Sequence, residues 1–170
     1  MATTYTPRPI PPAVLAELRR TDDAGRPCLP YAVTDDDDVG SPLRCCLRGA
    51  AAGERIALVS YAPLRRWAAG AGAEPGAYDE QGPVFVHAEE CGGPAGEPTA
   101  YPFDRPGALR TLRRYDARGR IVGGRLLEIP EEPAEGFDRG FAEAFADPDV
   151  AFVHVRAVEY GCFLFEVRRP

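Results

Sequence analysis

Lysine and asparagine are absent from the chain, and all 20 of its basic residues are arginine. A Walker A loop needs a lysine at the phosphates of its nucleotide, and Schiff-base enzymes need a lysine amine, so both are excluded. The same absences exclude an ordinary kinase site and a Cys-His-Asn triad. The two serines, Ser41 and Ser60, lie outside any G-x-S-x-G sequence, which excludes the nucleophile elbow of an α/β-hydrolase.

Long hydrophobic runs are absent as well. No stretch approaches the roughly 20 apolar residues that span a bilayer. Residues 1–12 are rich in proline and threonine and lack the apolar core of a signal peptide. We therefore expect a soluble, cytoplasmic protein with no membrane partner. Because five cysteines cannot all pair internally and cytoplasmic thiols are kept reduced, we expect reduced cysteines throughout.

Negative charge exceeds positive charge, with a net charge of −6 at pH 7. Nucleic-acid binding needs clustered positive charge, so we expect no nucleic-acid partner. A content of 45% hydrophobic and 27% charged residues predicts one globular domain in a chain of 170 residues. We place this domain at residues 12–170, after an extended, proline-rich arm at residues 1–11. The sequence predicts no oligomeric state.

The apolar pattern predicts an α+β fold built mainly on antiparallel sheet. Two hairpins are expected, at residues 109–129 and 151–168, and each has a glycine, Gly119 or Gly161, where the loop needs a positive φ. Two or three short helices complete the domain, the clearest at residues 12–20 and 137–146. Strand–helix alternation is poor, which argues against a doubly wound sheet.

Two further strands are predicted at residues 54–61 and 83–88. The first contains four consecutive apolar residues, 56–59, which indicates burial on both faces. Between the first helix and this strand the chain is predicted to be mostly loop. The acidic run at residues 35–38 resembles the start of a calcium loop, but an EF-hand beginning there would have Val39 as its third ligand. We therefore predict a solvated acidic loop.

His87 and Cys91 follow the second of these strands with the spacing H-x-x-x-C, and imidazole with thiolate is a ligand pair that zinc prefers. A tetrahedral site needs two more ligands, which Cys46, Cys162 or His154 could supply only through folding. Since the chain has no C-x-x-C sequence, we expect these cysteines to act as small buried apolar residues. We expect no stoichiometric zinc and no other cofactor.

The same residues can also be read as a cysteine nucleophile with a histidine base. Cys46 lies between Arg44 and Arg48, which gives it the more positive sequence neighbourhood. Nothing nearby in the sequence supplies the third group that would orient the histidine.

The strand predicted to start at residue 151 has one apolar face and one mixed face, which carries Phe152, His154 and Arg156. Such a mixed face can line an anion-binding pocket or lie in solvent.

The loop of this hairpin is predicted at residues 159–161, which sets the pairing of its strands. Arg156 then faces Leu164, and His154 faces Glu166 on the same side of the sheet. We expect the imidazole and the carboxylate to meet, which raises the pKa of His154 unless burial opposes it.

Four short strings of residues stand out along the chain: Arg44-x-Cys46-Leu-Arg48, Gly82-Pro-Val-Phe-Val-His87-x3-Cys91, Phe152-Val-His154-Val-Arg156 and Gly161-Cys-Phe163. Their pattern resembles a bacterial family, domain-of-unknown-function family 1203, from about Pro27 to Arg169. The resemblance implies no activity. It implies that His87, Cys91, His154, Arg156 and Cys162 lie on signature strings, where polar residues more often serve binding than packing.

From these patterns we expect a domain that binds a small molecule, and an anionic ligand is one candidate. The expected cleft is lined by His87, His154, Arg156, Cys91, Cys46 and Glu166. Arg156 is its expected anion donor. Two alternatives stay open. One is an enzyme that uses Cys46 or Cys91 with His87 or His154, and the other is a protein with a structural Cys/His zinc site.

Overall fold

The computed structural model describes residues 3–34 and 36–170. Met1, Ala2 and Asp35, the first residue of the predicted acidic loop, lie outside the described residues. The rest of that loop is a largely exposed turn at residues 36–40. In the described part of the chain, no helix combines the length and apolar character needed to cross a membrane.

The described residues contain three α-helices: α1 (Pro12–Leu18), α2 (Pro63–Ala71) and α3 (Pro133–Ala146). Each has a proline in its first turn, where the fixed φ suits a helix and the missing N–H is not needed. The predicted helices at residues 12–20 and 137–146 correspond to α1 and α3, although α1 ends two residues earlier and α3 begins one turn earlier. The apolar pattern does not locate α2.

Nine strands form two sheets in the described residues: β1 (Tyr31–Ala32), β2 (Pro42–Leu43), β3 (Arg48–Gly49), β4 (Arg55–Tyr61), β5 (Gly82–His87), β6 (Leu109–Tyr115), β7 (Ile121–Glu128), β8 (Phe152–Ala157) and β9 (Phe163–Arg168). The first sheet has the order β1-β4-β5-β2-β3, and the second has the order β7-β6-β8-β9. All the strand pairs are antiparallel except β2 with β5. The predicted α+β fold with two hairpins is confirmed.

The hairpin β6–β7 has the predicted turn. Gly119 has a φ of 80°, and its N–H donates to the carbonyl oxygen of Asp116 at 3.0 Å. The N–H of Asp116 donates in turn to the carbonyl oxygen of Arg120 at 3.0 Å. This is the arrangement of a turn closed by a glycine bulge.

The hairpin β8–β9 follows the predicted register at first and then departs from it. His154 lies opposite Glu166, as predicted. Arg156 lies opposite Phe163 and not Leu164, because a bulge in β9 inserts Leu164 as an extra residue. The predicted register is therefore wrong beyond Val155, and the connection between the strands is longer than the predicted three-residue loop.

Each sheet has an apolar core, and Phe163 of β9 contributes to the core of the first sheet. The stripe of α3 (Phe137, Phe141, Ala144 and Phe145) is buried against the second sheet, as its spacing predicts. On β4, Ile56, Ala57 and Val59 are buried, but Leu58 is 52% exposed. The expected burial of both faces of this strand is therefore wrong at Leu58, whose side of the sheet faces an open cleft.

The segment before α1 connects the two sheets. The N–H of Arg8 donates to the carbonyl oxygen of Glu166 in β9 at 2.8 Å, and the N–H of Ile10 donates to the carbonyl oxygen of Arg44 at 2.9 Å. The Ile10 side chain is buried in the core of the first sheet. The extended arm is thus fixed along both sheets by backbone hydrogen bonds.

Candidate metal centre

Two cysteines occupy the tight loop between β2 and β3. Leu47, the last residue of this loop, has a φ of 59°, and its N–H donates to the carbonyl oxygen of Leu43 at 2.9 Å. Cys45 and Cys46 lie inside the turn that this bond closes. Because β2 pairs in parallel with β5, the turn lies beside the end of β5, where His87 is the last residue.

Four metal-ligand atoms meet at this point. The ligand atoms of Cys45, Cys46, His87 and Cys91 all lie within 4.8 Å of one another. The two neighbouring sulfurs are 3.9 Å apart, and His87 Nδ1 lies 3.4 Å from Cys45 Sγ and 3.7 Å from Cys46 Sγ. A tetrahedral zinc ion, with bonds of about 2.3 Å to sulfur and about 2.0 Å to nitrogen, would separate two sulfurs by about 3.8 Å and a sulfur from the nitrogen by about 3.5 Å. The spacing matches that geometry.

The other nitrogen of His87 faces a carboxylate. Its Nε2 lies 3.2 Å from Glu54 Oε1. Glu54 is held in turn by a two-point ion pair with Arg48 and by the N–H of Ala51, which donates at 2.7 Å. The pairing with Arg48 lowers the pKa of Glu54 to about 2, so this carboxylate is ionised. A carboxylate on the outer nitrogen fixes the tautomer in which the inner nitrogen is free to bind a metal.

The two vicinal thiols have different acidities. The hydrogen bond between them raises the pKa of Cys45, as burial also does, and the same bond lowers the pKa of Cys46. The N–H of His87 also donates to Cys45 Sγ at 3.2 Å. Such backbone bonds stabilise a thiolate, which is the form that binds a metal.

Burial removes most of this cluster from water. Cys45, Cys46 and His87 are all buried, and Cys91, in the loop after β5, is half-buried. The cluster is therefore largely shielded from water, and Cys91 is its member nearest the surface.

The sequence identifies three members of this cluster and misses two important residues. His87, Cys91 and Cys46 come together as the zinc alternative requires, but Cys162 and His154 are not part of the cluster. Cys45 takes the fourth position, and Glu54 supports the histidine. The only sequence signal for Cys45 is its adjacency to Cys46. All five cysteines are free thiols in the structure, and their redox state in the cell stays a prediction.

His154 and Glu166 form a separate buried pair in the second sheet. His154 Nε2 lies 3.1 Å from Glu166 Oε2, and the imidazole has no exposed surface. It is packed among Tyr115, Phe152 and Phe163. Burial lowers the pKa of His154 by more than the carboxylate raises it. The imidazole is therefore neutral at pH 7 and contributes to the core.

Replacing His154 with glutamine is expected to flatten the pH dependence of stability below about pH 6.5. The folded-state pKa lies below the ordinary value of 6.5, so the unfolded chain takes up a proton in this range that the folded chain does not. In the wild type, the stability that comes from keeping this imidazole neutral is fully present above about pH 6.5. As the pH falls below that value, this stability is lost at up to about 1.4 kcal/mol per pH unit. Urea unfolding of both proteins at pH 7.5, 6.5 and 5.5 measures the difference. Parallel curves would contradict the assignment.

Arg156 does not extend a cleft toward His87. Its Nε donates to the carbonyl oxygen of Gly161 at 2.9 Å, and its Nη1 lies 3.2 Å from Glu80 Oε1. The charge of Arg156 is thus already paired within the chain. The structure brings Cys46, Cys91 and His87 to one site, and His154 with Glu166 to another.

Comparison with known proteins confirms the family that the sequence strings resemble. No curated protein and no solved structure matches the chain. A family match covers residues 40–169, a span that includes all four ligand candidates as well as Glu54. Since that match covers most of the chain, the chain belongs to the family described as Protein of unknown function (DUF1203).

Proposed function

We propose that this chain is a zinc-binding domain in which Cys45, Cys46, His87 and Cys91 hold one Zn²⁺ ion. The observation that carries the proposal is the convergence of three sulfurs and one imidazole nitrogen within 4.8 Å of one another. It favours the alternative of a Cys/His zinc site over the expectation of buried, unliganded cysteines.

The ligand set selects the metal. Thiolates are soft ligands that favour zinc, copper(I) and iron–sulfur clusters, whereas calcium and magnesium need oxygen ligands. Three thiolates with one imidazole in a tetrahedral arrangement are a common structural zinc set. The imidazole in this position, with its outer nitrogen on Glu54, matches the carboxylate–histidine–zinc arrangement of known sites.

The site is closed, which supports a structural role. Catalytic zinc sites use three protein ligands and keep the fourth position for water, while structural sites use four. Here the ion would join the β2–β3 turn to the end of β5 and to the loop that carries Cys91. The zinc therefore stabilises the packing of short strands that have few contacts of their own.

Charge balance at the site is also favourable. Zinc with three thiolates and a neutral imidazole has a net charge of −1, and Arg48 lies next to it, with Nη2 at 3.4 Å from His87 Nε2. Because the charge of Arg48 is shared with Glu54, the N–H groups directed at the sulfurs, such as that of His87, supply the further compensation. A buried anionic centre needs such compensation to be stable.

The alternative function, an enzyme with a cysteine nucleophile and a histidine base, would use the same atoms. Cys46, with its lowered pKa, and His87 Nδ1 at 3.7 Å form a thiol–imidazole pair. A nucleophile must be free to react, whereas a zinc-bound thiolate is protected. Metal content and thiol reactivity therefore separate the two functions.

The test is elemental analysis of untagged protein, dialysed extensively after expression with zinc in the medium. We expect about one zinc per chain, held as tightly as structural sites hold it. A thiol-specific reagent should modify Cys45, Cys46 and Cys91 much faster after chelation than before it. Metal-free protein in which one thiol reacts rapidly at pH 7 would overturn the proposal in favour of the enzyme.

A further inference from the structure

We propose that the cleft between the two sheets binds a small monocarboxylate with an apolar body, whose carboxylate pairs with buried arginines in the cleft wall. This binding site is distinct from the metal centre, although the β2–β3 turn contributes to both. The proposal rests on the size of the cleft, on two under-compensated guanidinium groups, and on strained backbone in its wall.

The cleft has the size and lining of a small-molecule site. Its volume is about 800 Å³, within the range of roughly 300–1,000 Å³ typical of ligand pockets. Its apolar wall includes Leu58 and Phe85 from the first sheet and Leu164 from the second. Leu58 lies opposite Phe85 in the middle of the sheet, yet it is 52% exposed, so about half of its surface is left uncovered in the cleft.

Arg44 brings a buried positive charge to this wall. It is 3% exposed, and its Nε donates to the carbonyl oxygen of Phe163 at 2.7 Å. Its Nη1 donates to the carbonyl oxygen of Pro42. In the residues that the structure describes, no carboxylate pairs with this guanidinium. Backbone carbonyls carry only partial charge, so the full charge of Arg44 remains under-compensated.

Arg110, in β6 of the second sheet, brings a second buried positive charge to the cleft wall. It is 8% exposed, and its two terminal nitrogens donate to the carbonyl oxygens of Leu109 and Phe103, each at 2.8 Å. Its Nε is buried with no partner among the described residues. Exposed Glu159 forms an ion pair with Nη1 at 3.8 Å, which is too long for a hydrogen bond, so it compensates the charge of Arg110 only in part. Burial lowers the pKa of Arg110, which reflects the cost of this placement.

The backbone of the cleft wall is strained at two points. Leu47 and Phe103 each have a φ of 59°, and they are the two non-glycine residues with positive φ in the described part of the chain. Both line this cleft. Such conformations are unfavourable for residues with a Cβ and concentrate at functional sites. That both occur here supports a binding role for the cleft.

The distribution of charge sets the orientation of the ligand. The acidic residues of the cleft, Asp37, Asp38, Asp104 and Glu159, are exposed or half-buried, while the buried charges are Arg44 and Arg110. An anion that binds inside the cleft therefore meets the two buried arginines. The acidic groups lie closer to solvent, where water screens their charge. Carboxylate and phosphate both match the geometry of a guanidinium, and the single charge of a carboxylate suits a cleft that also holds four acidic side chains.

Calorimetric titration of the full chain with three probes tests the proposal: decanoate, decylammonium and acetate. Decanoate and decylammonium share an apolar body and differ in charge, while acetate has the charge without the body. We expect decanoate to bind at least about tenfold more tightly than either of the others, because it alone satisfies both the wall and the arginines.

Two variants locate the binding in the cleft. Arg110→Gln should weaken decanoate binding about tenfold, and Leu58→Asp should weaken it at least as much, because it places a negative charge in the cleft from an exposed position. Arg118→Gln, which changes an exposed arginine of the β6–β7 turn outside the cleft, is the control and should bind as the wild type does. Equal binding of decanoate and decylammonium would overturn the proposal. So would wild-type binding by both Arg110→Gln and Leu58→Asp.

Discussion

Replacing Cys91 with serine is expected to abolish stoichiometric zinc binding and to lower the free energy of unfolding by about 4 kcal/mol. A bound ion stabilises the folded state by about 4 kcal/mol when its free concentration is a thousand times its dissociation constant, and structural zinc sites commonly exceed that ratio. Of the three cysteine ligands, Cys91 is the one that lies far from the other two in the sequence. Its loss should release the loop after β5 from the β2–β3 turn.

Cys28 provides a matched control for this substitution. Both cysteines are half-buried and pack against the core of the first sheet, but Cys28 lies outside the ligand cluster. Burial raises the pKa of Cys28, as is typical of an inert structural thiol. Cys28→Ser should therefore retain one zinc per chain and lose no more than about 1 kcal/mol of stability.

Urea unfolding of wild type and both variants, each with and without a strong chelator, measures the effect. The chelator should destabilise wild type and Cys28→Ser by similar amounts and leave Cys91→Ser nearly unchanged. If Cys91→Ser and Cys28→Ser lose the same stability and the chelator affects neither, the cluster is a group of buried thiols without a metal.

The sequence predicts the second sheet better than the first because its signals are local. Short apolar runs mark β7, β8 and β9, and a glycine marks each turn, so both hairpins follow from short-range pattern. In the first sheet, β1, β2 and β3 have two residues each and are too short to show any period. Their positions are set by pairing with β4 and β5, which sequence periodicity does not report.

The cluster of Cys45, Cys46, His87 and Cys91 depends on one such long-range pairing. The sequence separates Cys46 from His87 by 41 positions, and the parallel bridge of Leu43 with Phe85 brings them together. Because the bridge involves one residue on each strand, its sequence carries no distinctive signal. The identity of the ligands could be predicted in part, since His87, Cys91 and Cys46 stand out chemically. The convergence that turns them into a site could not.

His154 illustrates the same limit in the second sheet. Its partner Glu166 follows from the hairpin register, and their contact at 3.1 Å confirms the predicted pairing. The register says which side chains meet but not what covers them. Aromatic rings from three strands enclose the imidazole, and this burial reverses the pKa shift that the carboxylate alone would cause.

The two hairpin glycines separate local conformation from tertiary packing. Gly119→Val is expected to lower the free energy of unfolding by about 3–4 kcal/mol, and Gly161→Val by about 1–2 kcal/mol. Gly119 and Gly161 have φ values of 80° and 68°, so a valine at either position is strained to a similar degree. The difference between them comes from what a side chain would meet.

A Cβ at Gly119 would lie 3.2 Å from Trp67 Cζ3 and 3.3 Å from both Leu64 Cδ1 and Pro75 Cβ, whereas one at Gly161 would have no atom within 4 Å. These contacts join the β6–β7 turn to α2, where Trp67 packs against Phe152 with the ring centroids 4.3 Å apart. Valine at Gly119 must displace this packing, which adds an overpacking cost to the backbone strain. Urea unfolding of both variants gives the two free energies. Equal losses would mean that the turn conformation alone matters and that α2 gains nothing from its contact with the hairpin.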